Sequence, residues 1–588
     1  MSKPTETERV LGLPELTPAP DARREWTQRL RTRQGRMTLL PAQAACLDVL
    51  ARQEAPLGLV AALGVGEGKT LVSLLAPTAL AWSSTQAYLR REGVARHAAT
   101  KLTALLLVPS PLIVKTEREM RTYAKHWHVG TKIEVMGYGK LSQPSATRLL
   151  SRLRPHVLIV DEAHYLASLT SARTRRVVRY LQSYPETRVV LLSGTLTRRS
   201  LMDVGHLLEA ALRHQSPLPV DRTPLEQWAA VIDQDGRPAA RDHQAFAPVI
   251  QRHCTRADMM DLEPRDLARR ALQRHYKSAP GLVISAGTTC DASLRLMQVK
   301  CEPSARIARA LRALQRTWAL PDGTPISLAT DFGRHRKTLS IGLYLVWEWP
   351  DGIVDHEWVE ARRGWGAAVR SFLEYQARPG LDSPALVERA ARAGGLSTRM
   401  RQAYLQWQEV ADRPEPPSVP RWIDRDWLPS VVEAWRRTQR EPAVVWYQSR
   451  AVGDVLAEAG LPVHGAGSAE PVQGSTLAAS IRVWGTGWNG QAWARSLVIE
   501  PPASGSTWEQ LLGRAHRHGQ TRDVVTYVLA HTPSYVQALE RARAEARYVR
   551  DTTDTPQRLL LADEGEIVLD VEGRTSGKTK QRKTRGKA

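Results

Sequence analysis

Short, nearly continuous apolar runs recur along this chain. Each is followed by a longer stretch with helical spacing, and this alternation limits the fold more than any other feature. From about residue 36 to 275 the runs are LGLVAAL (57–63), LTALLLVP (102–109), KIEVMG (132–137), VLIVDE (157–162) and RVVLLSG (188–194). A strand that is Val/Leu/Ile-rich on both faces must be covered on both faces. Helices between successive strands do this, so the pattern predicts a parallel α/β sheet. A second series, PAVVWYQS (442–449), SIRVWGTG (480–487), RSLVIEPP (495–502) and DVVTYVLAH (523–531), predicts a second, smaller α/β unit. At 588 residues the chain is too long for a single core, and its 42% hydrophobic content is enough to fill several.

The expected organisation is a loose, charged and Pro-rich segment over 1–35, a first lobe over 36–275, a largely helical insertion over 276–440, a second lobe over 441–545, and an extension over 546–588. The extension ends in GRTSGKTKQRKTRGKA (573–588), which has the composition of a disordered basic tail. Within the insertion, DRPEPPSVPRW (412–422) reads as a linker. Trp recurs at short spacing in LSIGLYLVWEWPDG (339–352) and stands among Arg residues in DHEWVEARRGWGAAVRSFL (355–373). That mixture suits base stacking, but aromatic filling of a helical core is the plainer reading.

Lys and Arg number 82 against 60 Asp and Glu, a formal net charge of +22. An excess of this size favours a polyanionic partner, nucleic acid first, because Lys and Arg displace counterions from phosphates. An Arg-biased composition would give the same count with no such partner. The four cysteines, Cys46, Cys254, Cys290 and Cys301, form no CxxC pair and no zinc-site spacing. They read as reduced and buried, and the expected compartment is cytoplasmic. No apolar run approaches the ~18 residues of a membrane span, so no membrane association is expected. The first twenty residues lack the apolar centre of a signal peptide.

Two segments carry phosphoryl chemistry. In LGLVAALGVGEGKTLVSLL a strand leads through GVGEGKT (64–70) into a helix. Gly66, Glu67 and Gly68 make a turn whose backbone amides can approach phosphate oxygens, Lys69 can reach the β and γ phosphates, and Thr70 can ligate magnesium. An ordinary Gly-rich strand–helix turn would look the same. About 90 residues on, VLIVDEAH (157–164) ends an apolar strand in two carboxylates. Asp161 suits magnesium and Glu162 suits the attacking water. A plain helix N-cap would also place acids there. In the second unit, QLLGRAHRHGQ (510–520) puts Arg514 and Arg517 three apart, which predicts one helix face. They suit an arginine finger or a basic face lying on nucleic acid. A second Gly-Lys-Thr, in SGKT (576–579), has no strand before it and belongs to the tail.

Taken together these segments resemble the superfamily-two helicases and, within them, the Swi/Snf-like DNA translocases; the stretch 276–440 resembles helicase-like proteins of phages and prophages. The first resemblance covers roughly 36–275 and 440–535. LLPAQ (39–43) is similar to the adenine-side motif, with Gln43 as reader; GEGKT (66–70) and DEAH (161–164) are similar to motifs I and II, with His164 in a coupling position. LVPSPL (107–112) resembles motif Ia, which implies nucleic-acid contact at Pro109 and Ser110. GYGKL (137–141) resembles the next strand-end loop and implies contact at Tyr138. SGTL (193–196) resembles motif III, where Ser193, Gly194 and Thr195 couple ATP state to movement. QRHCTRADMMDLEP (251–264) resembles the basic segment closing the first lobe, which implies contact at Arg256. In the second lobe, VVWYQS (444–449) resembles motif IV. GTGWN (485–489) resembles motif V, with Gly487 at the nucleotide and Asn489 at the nucleic acid. The 510–520 string matches motif VI at each fixed position, with Gln510 beside the nucleotide. Two departures stand out. Leu63 replaces the small residue usual at the start of motif I, and IEPPASGSTW replaces the family's Asp followed by Trp-Asn-Pro, leaving Glu500 in the acid's place and Trp508 out of position.

The resemblance implies two RecA-like lobes sharing one site for ATP and magnesium, and an ATPase that tracks along duplex DNA with little sequence preference. A strand-separating helicase is the nearest alternative. An ATP-gated clamp that binds DNA and recruits a protein partner without turnover is the alternative of another class.

Overall fold

The computed structural model of the chain describes residues 5–15, 19–52, 58–92, 102–129, 132–285, 287, 290–326 and 328–571, with the backbone alone for 83–92 and 351. The basic segment 573–588 and its SGKT lie outside the described residues. The described chain is α/β, and it divides into two compact units.

The first unit comprises 1–288, 361–408 and 547–556. Its sheet holds β1 (Leu59–Ala62), β2 (Thr103–Val108), β3 (Lys132–Gly137), β4 (Val157–Asp161), β5 (Arg188–Ser193) and β6 (Leu282–Ile284). All six run parallel, in the order β3-β2-β4-β5-β1-β6. Successive side chains of a strand point to opposite faces, and both faces here are buried. Leu105, Leu107, Leu158, Val160, Val189 and Leu191 enter one core with Trp228 and Phe246. Leu106, Ile159, Val190 and Leu192 enter the other, with Leu47 and Leu75. Each such side chain contributes about 1.5–3 kcal/mol, so the strands that carry the motif loops are the most firmly fixed part of the unit.

The second unit comprises 289–360, 409–546 and 557–588. It begins with β7 (Leu294–Lys300), followed by a two-stranded antiparallel ribbon of β8 (Leu343–Trp347) and β9 (Ser418–Trp422). Strands β10 (Ala443–Tyr447), β11 (Val463–His464), β12 (Leu477–Ser480), β13 (Arg495–Val498), β14 (Val524–Leu529) and β15 (Asp563–Val568) follow. The seven-stranded parallel sheet has the order β11-β12-β10-β13-β14-β7-β15.

These units divide the chain differently from the expected segments. The first sheet continues past 275, because β6 pairs with β1 through Val60, Ala61 and Ala62. The region 276–440 is not a separate helical insertion: β7 lies between β14 and β15 in the second sheet, and 361–408 belongs to the first unit. The Pro-rich stretch expected as a linker forms β9 at Ser418–Trp422. The extension after 545 supplies 547–556 to the first unit and edge strand β15 to the second. Among the described residues no helix is long and apolar enough to cross a membrane. All four cysteines are free; Cys46 and Cys301 are buried, whereas Cys254 and Cys290 are only half-buried.

Candidate active site

Because the first sheet is parallel, its strands all end at one edge. Strand β5 lies between β1 and β4, so the loops after these three strands are neighbours. Leu63 continues the β1 line: it is fully buried, and its amide donates to the Ser193 carbonyl at 2.9 Å. The turn therefore starts at Gly64, and the departure at Leu63 leaves it intact. Gly66 and Gly68 sit at φ +94° and +73°. A Cβ on Gly68 would lie 2.2 Å from Nε2 of Gln43, so this position requires glycine both for its dihedral and for space. Gln43 braces the turn from outside. Its Nε2 donates to the Glu67 carbonyl at 3.0 Å, and its Oε1 accepts from the Leu40 amide at 2.8 Å.

Lys69 and Thr70 open the helix Lys69–Glu92, and both are half-buried. Lys69 Nζ donates to the Leu63 carbonyl at 3.1 Å and lies 3.8 Å from Oε1 of Glu162. Glu67 folds back over the turn. One carboxylate oxygen accepts from the Gly64 amide at 2.6 Å, and the other from the Ser285 hydroxyl at 2.6 Å. Ser285 directly follows β6, and no local sequence signal marked it.

Asp161 closes β4, and Glu162 follows it at φ +56°, a left-handed conformation that a non-glycine residue adopts at a cost of about 1–2 kcal/mol. The Glu162 amide donates to Asp161 Oδ1 at 3.1 Å. His164 Nδ1 lies 3.3 Å from the other Glu162 carboxylate oxygen. Burial first, then the negative charge of Glu162, pushes the Asp161 carboxyl above the usual carboxylate range, against the lowering pull of Lys69. The edge thus gathers one ammonium, three carboxylates, the Thr70 and Ser285 hydroxyls and a Gly-rich turn.

The SGTL segment completes this edge. Ser193 and Thr195 are buried and bonded to each other; the Ser193 hydroxyl donates to the Thr195 carbonyl at 2.6 Å. A Cβ on Gly194 would lie 3.5 Å from Lys69 Nζ. Ser193 and His164 line one small cavity with Leu196 and Arg198.

Of the four first-lobe residues expected at nucleic acid, Ser110 and Arg256 are exposed and Pro109 is buried. Ser110 sits against the end of β3, its Oγ 2.7 Å from where a Gly137 Cβ would be. Tyr138 corrects the expectation. It is 2% exposed, its hydroxyl donates to the Asp161 carbonyl at 2.6 Å, and its ring stacks on Tyr165 at 4.9 Å. A ring this buried and stacked supports the acidic turn and is not exposed to nucleic acid.

In the second unit the expected helix face does not form. The helix Gly505–Leu512 stops before Gly513, and 514–520 is a series of turns. Arg514 is buried, with Nε donating to the Gln510 carbonyl at 2.9 Å and a terminal nitrogen to the Trp488 carbonyl at 3.0 Å. It ties the 485–489 loop to the 510–520 segment. Arg517 is half-buried. Gly487 turns the loop at φ +78°, and Asn489 is exposed. Gln510 is half-buried, and its carbonyl serves Arg514. Two residues with no motif signature hold the segment. Arg558 is 1% exposed; it pairs with buried Glu509 and donates Nε to the His516 carbonyl at 2.9 Å. Glu500 is also buried, and it accepts the Gln448 and Ser449 amides at 2.8 Å each.

No family model matches the chain. A search of curated proteins finds no match either.

Proposed function

We propose that this chain is an ATP-hydrolysing DNA motor, a duplex-tracking translocase of the superfamily-two, Swi/Snf-like kind, whose two sheet units act as RecA-like lobes. The observation that carries the reading is the convergence of Lys69, Asp161, Glu162 and Gly194 at one edge of the first sheet, beside a turn held open by Gly66 and Gly68. Those groups fit a magnesium–triphosphate. The turn offers amides and Lys69 offers a cation to phosphate oxygens, while the Thr70 hydroxyl and Asp161 are oxygen donors suited to magnesium. Magnesium, when bound, neutralises negative charge on the β and γ phosphates. Glu162 orients the attacking water and accepts its proton. Lys69 holds the phosphate oxygens. Gln43 reads the base, and Arg517 of the second unit acts as the finger. Arg514 shapes the loop that positions Arg517, together with Gln510 and Gly487. Ser110, Arg256 and Asn489 contact the DNA backbone and carry no sequence information.

One observation favours a second reading, an ATP-gated DNA clamp that recruits a partner without turnover. The Glu67 carboxylate already holds the Gly64 amide, so a phosphate oxygen would have to compete for it.

Displacement of a third strand from triplex DNA tests the reading. A translocase strips that strand with ATP, leaves the underlying duplex paired, and loses the activity in Glu162→Gln. Separation of the duplex itself would establish the helicase. DNA binding with no displacement under any condition would overturn the motor and leave the clamp.

A further inference from the structure

The helices His356–Tyr375, Pro384–Arg392 and Thr398–Val410 pack around Trp365, Val387, Met400 and Tyr404, and 361–408 belongs to the first unit. This small module has an anchored side. Arg176, 2% exposed, donates to the Leu141 carbonyl at 2.9 Å and to Asp382 at 2.8 Å; Arg179 also pairs with Asp382. The pairing buries Asp382, one of only three acids in 361–408, and removes it from the surface.

The outer side is cationic. Pro384–Arg392 and Thr398–Val410 are joined by a five-residue turn in which Gly394 sits at φ +75°. Arg389 and Arg392 leave the first helix, Arg399 and Arg401 enter the second, and all four are exposed. Arg363 and Arg370, also exposed, lie two turns apart on the longer helix and so share a face. Against them stand Glu374 and Glu388, the latter 3.5 Å from Arg392, and exposed Glu357, Glu360 and Glu409 at the far ends of the same helices. Arg392 donates Nε to the Tyr404 hydroxyl at 3.3 Å, while Arg389, Arg399 and Arg401 are exposed and Val387, Met400 and Tyr404 on the same two helices form the core.

We propose that this helix–turn–helix segment is a docking surface for the phosphate backbone of duplex DNA. The match is one of charge: the four guanidinium groups of Arg389, Arg392, Arg399 and Arg401 flank the turn with Glu388 as the acid among them, and such a set fits a regularly spaced polyanion. The inference rests on the motor reading for its choice of partner, and it adds a surface that the helicase-type motifs do not include.

The test is binding of a short duplex to the full chain across a salt series, with wild type, an Arg389→Gln/Arg399→Gln/Arg401→Gln variant, and the corresponding triple Lys variant. Thermal unfolding serves as the folding control. The Gln variant should lose roughly tenfold or more in affinity at low salt. Its slope of log K against log[salt] should flatten by about 2–3, because each phosphate neutralised by the protein adds about 0.9 to that slope. The Lys variant should keep most of both. Wild-type affinity and slope in the Gln variant overturn the surface while leaving the motor reading in place. DNA binding through the module without DNA-stimulated ATP hydrolysis would support the surface and remove the motor. No DNA binding by the wild type removes both.

Discussion

The two sheet units treat their functional segments differently. In the first, the residues expected at a nucleotide lie together: Lys69 is 3.8 Å from Glu162, and a Cβ on Gly194 would stand 3.5 Å from the Lys69 ammonium. In the second, the segment richest in motif residues is bound to its own fold. Arg514 is committed to the Trp488 and Gln510 carbonyls, while Arg558 and Glu509 pin the carbonyl of His516. Two arginines that look equivalent in sequence are therefore not equivalent. Arg514 is buried and shapes a loop, whereas Arg517 is half-buried.

The largest expected effect separates these two arginines. Arg517→Ala should cut DNA-stimulated turnover by about 10³-fold or more, the scale of a missing arginine finger, with unfolding unchanged. Arg514→Ala should lower turnover and the unfolding midpoint together, since it strips buried charge-assisted hydrogen bonds. Equal unfolding midpoints in the two variants would erase the distinction. Next, Glu162→Gln should reduce turnover by about 10²–10⁴-fold while nucleotide affinity, measured by calorimetry, holds. A parallel fall in affinity would make Glu162 a binding residue.

Smaller effects act on stability. Arg558→Ala leaves Glu509 buried without its partner and should destabilise the second unit by about 3–5 kcal/mol, read by denaturant unfolding. Arg176→Ala leaves Asp382 with its second partner, Arg179, and should cost the first unit less.

The smallest effect is a symmetric one, in pH. Burial pushes His275 of the first unit and His531 of the second each down to about 4. Above the ordinary histidine range both are neutral, folded or unfolded, and contribute no pH dependence. As pH falls from about 6.5 towards 4 the unfolded chain takes up protons that the buried rings refuse, so each site costs its unit up to about 3 kcal/mol of stability. His275→Gln should flatten this loss for the first unit alone. An unchanged acid profile would show that other groups govern it.

The sequence made the buried strands readable and left long-range partners hidden. Strands β1, β2, β4, β5, β10 and β14 are apolar runs because both faces are covered, whereas edge strand β3 exposes Lys132 and Glu134, and the Gly-rich turn and acidic pair follow directly from strand ends. Strand β6 escaped because it has three residues, β7 because charged residues interrupt it, and β15 because DEGEIV is an acidic edge. Charges of that kind discourage edge-to-edge pairing but mask a strand in composition. Tyr138 looked like a nucleic-acid residue because a strand-end tyrosine carries no sign of the Tyr165 ring that covers it. The Glu67–Ser285 hydrogen bond spans 218 residues, a separation that local pattern does not reach. Arg514 and Arg517 kept helical spacing in a segment that is not helical, because hydrogen bonds with Trp488 and Arg558 fix its turns instead.

The most direct test of the central claim is ATP hydrolysis by the purified chain with saturating duplex DNA, single-stranded DNA, RNA or no nucleic acid, beside Glu162→Gln. The account predicts strong stimulation by duplex DNA that is abolished in the variant. ATP bound without hydrolysis in every condition would contradict it, because the Lys69–Asp161–Glu162 edge would then hold nucleotide without acting on it.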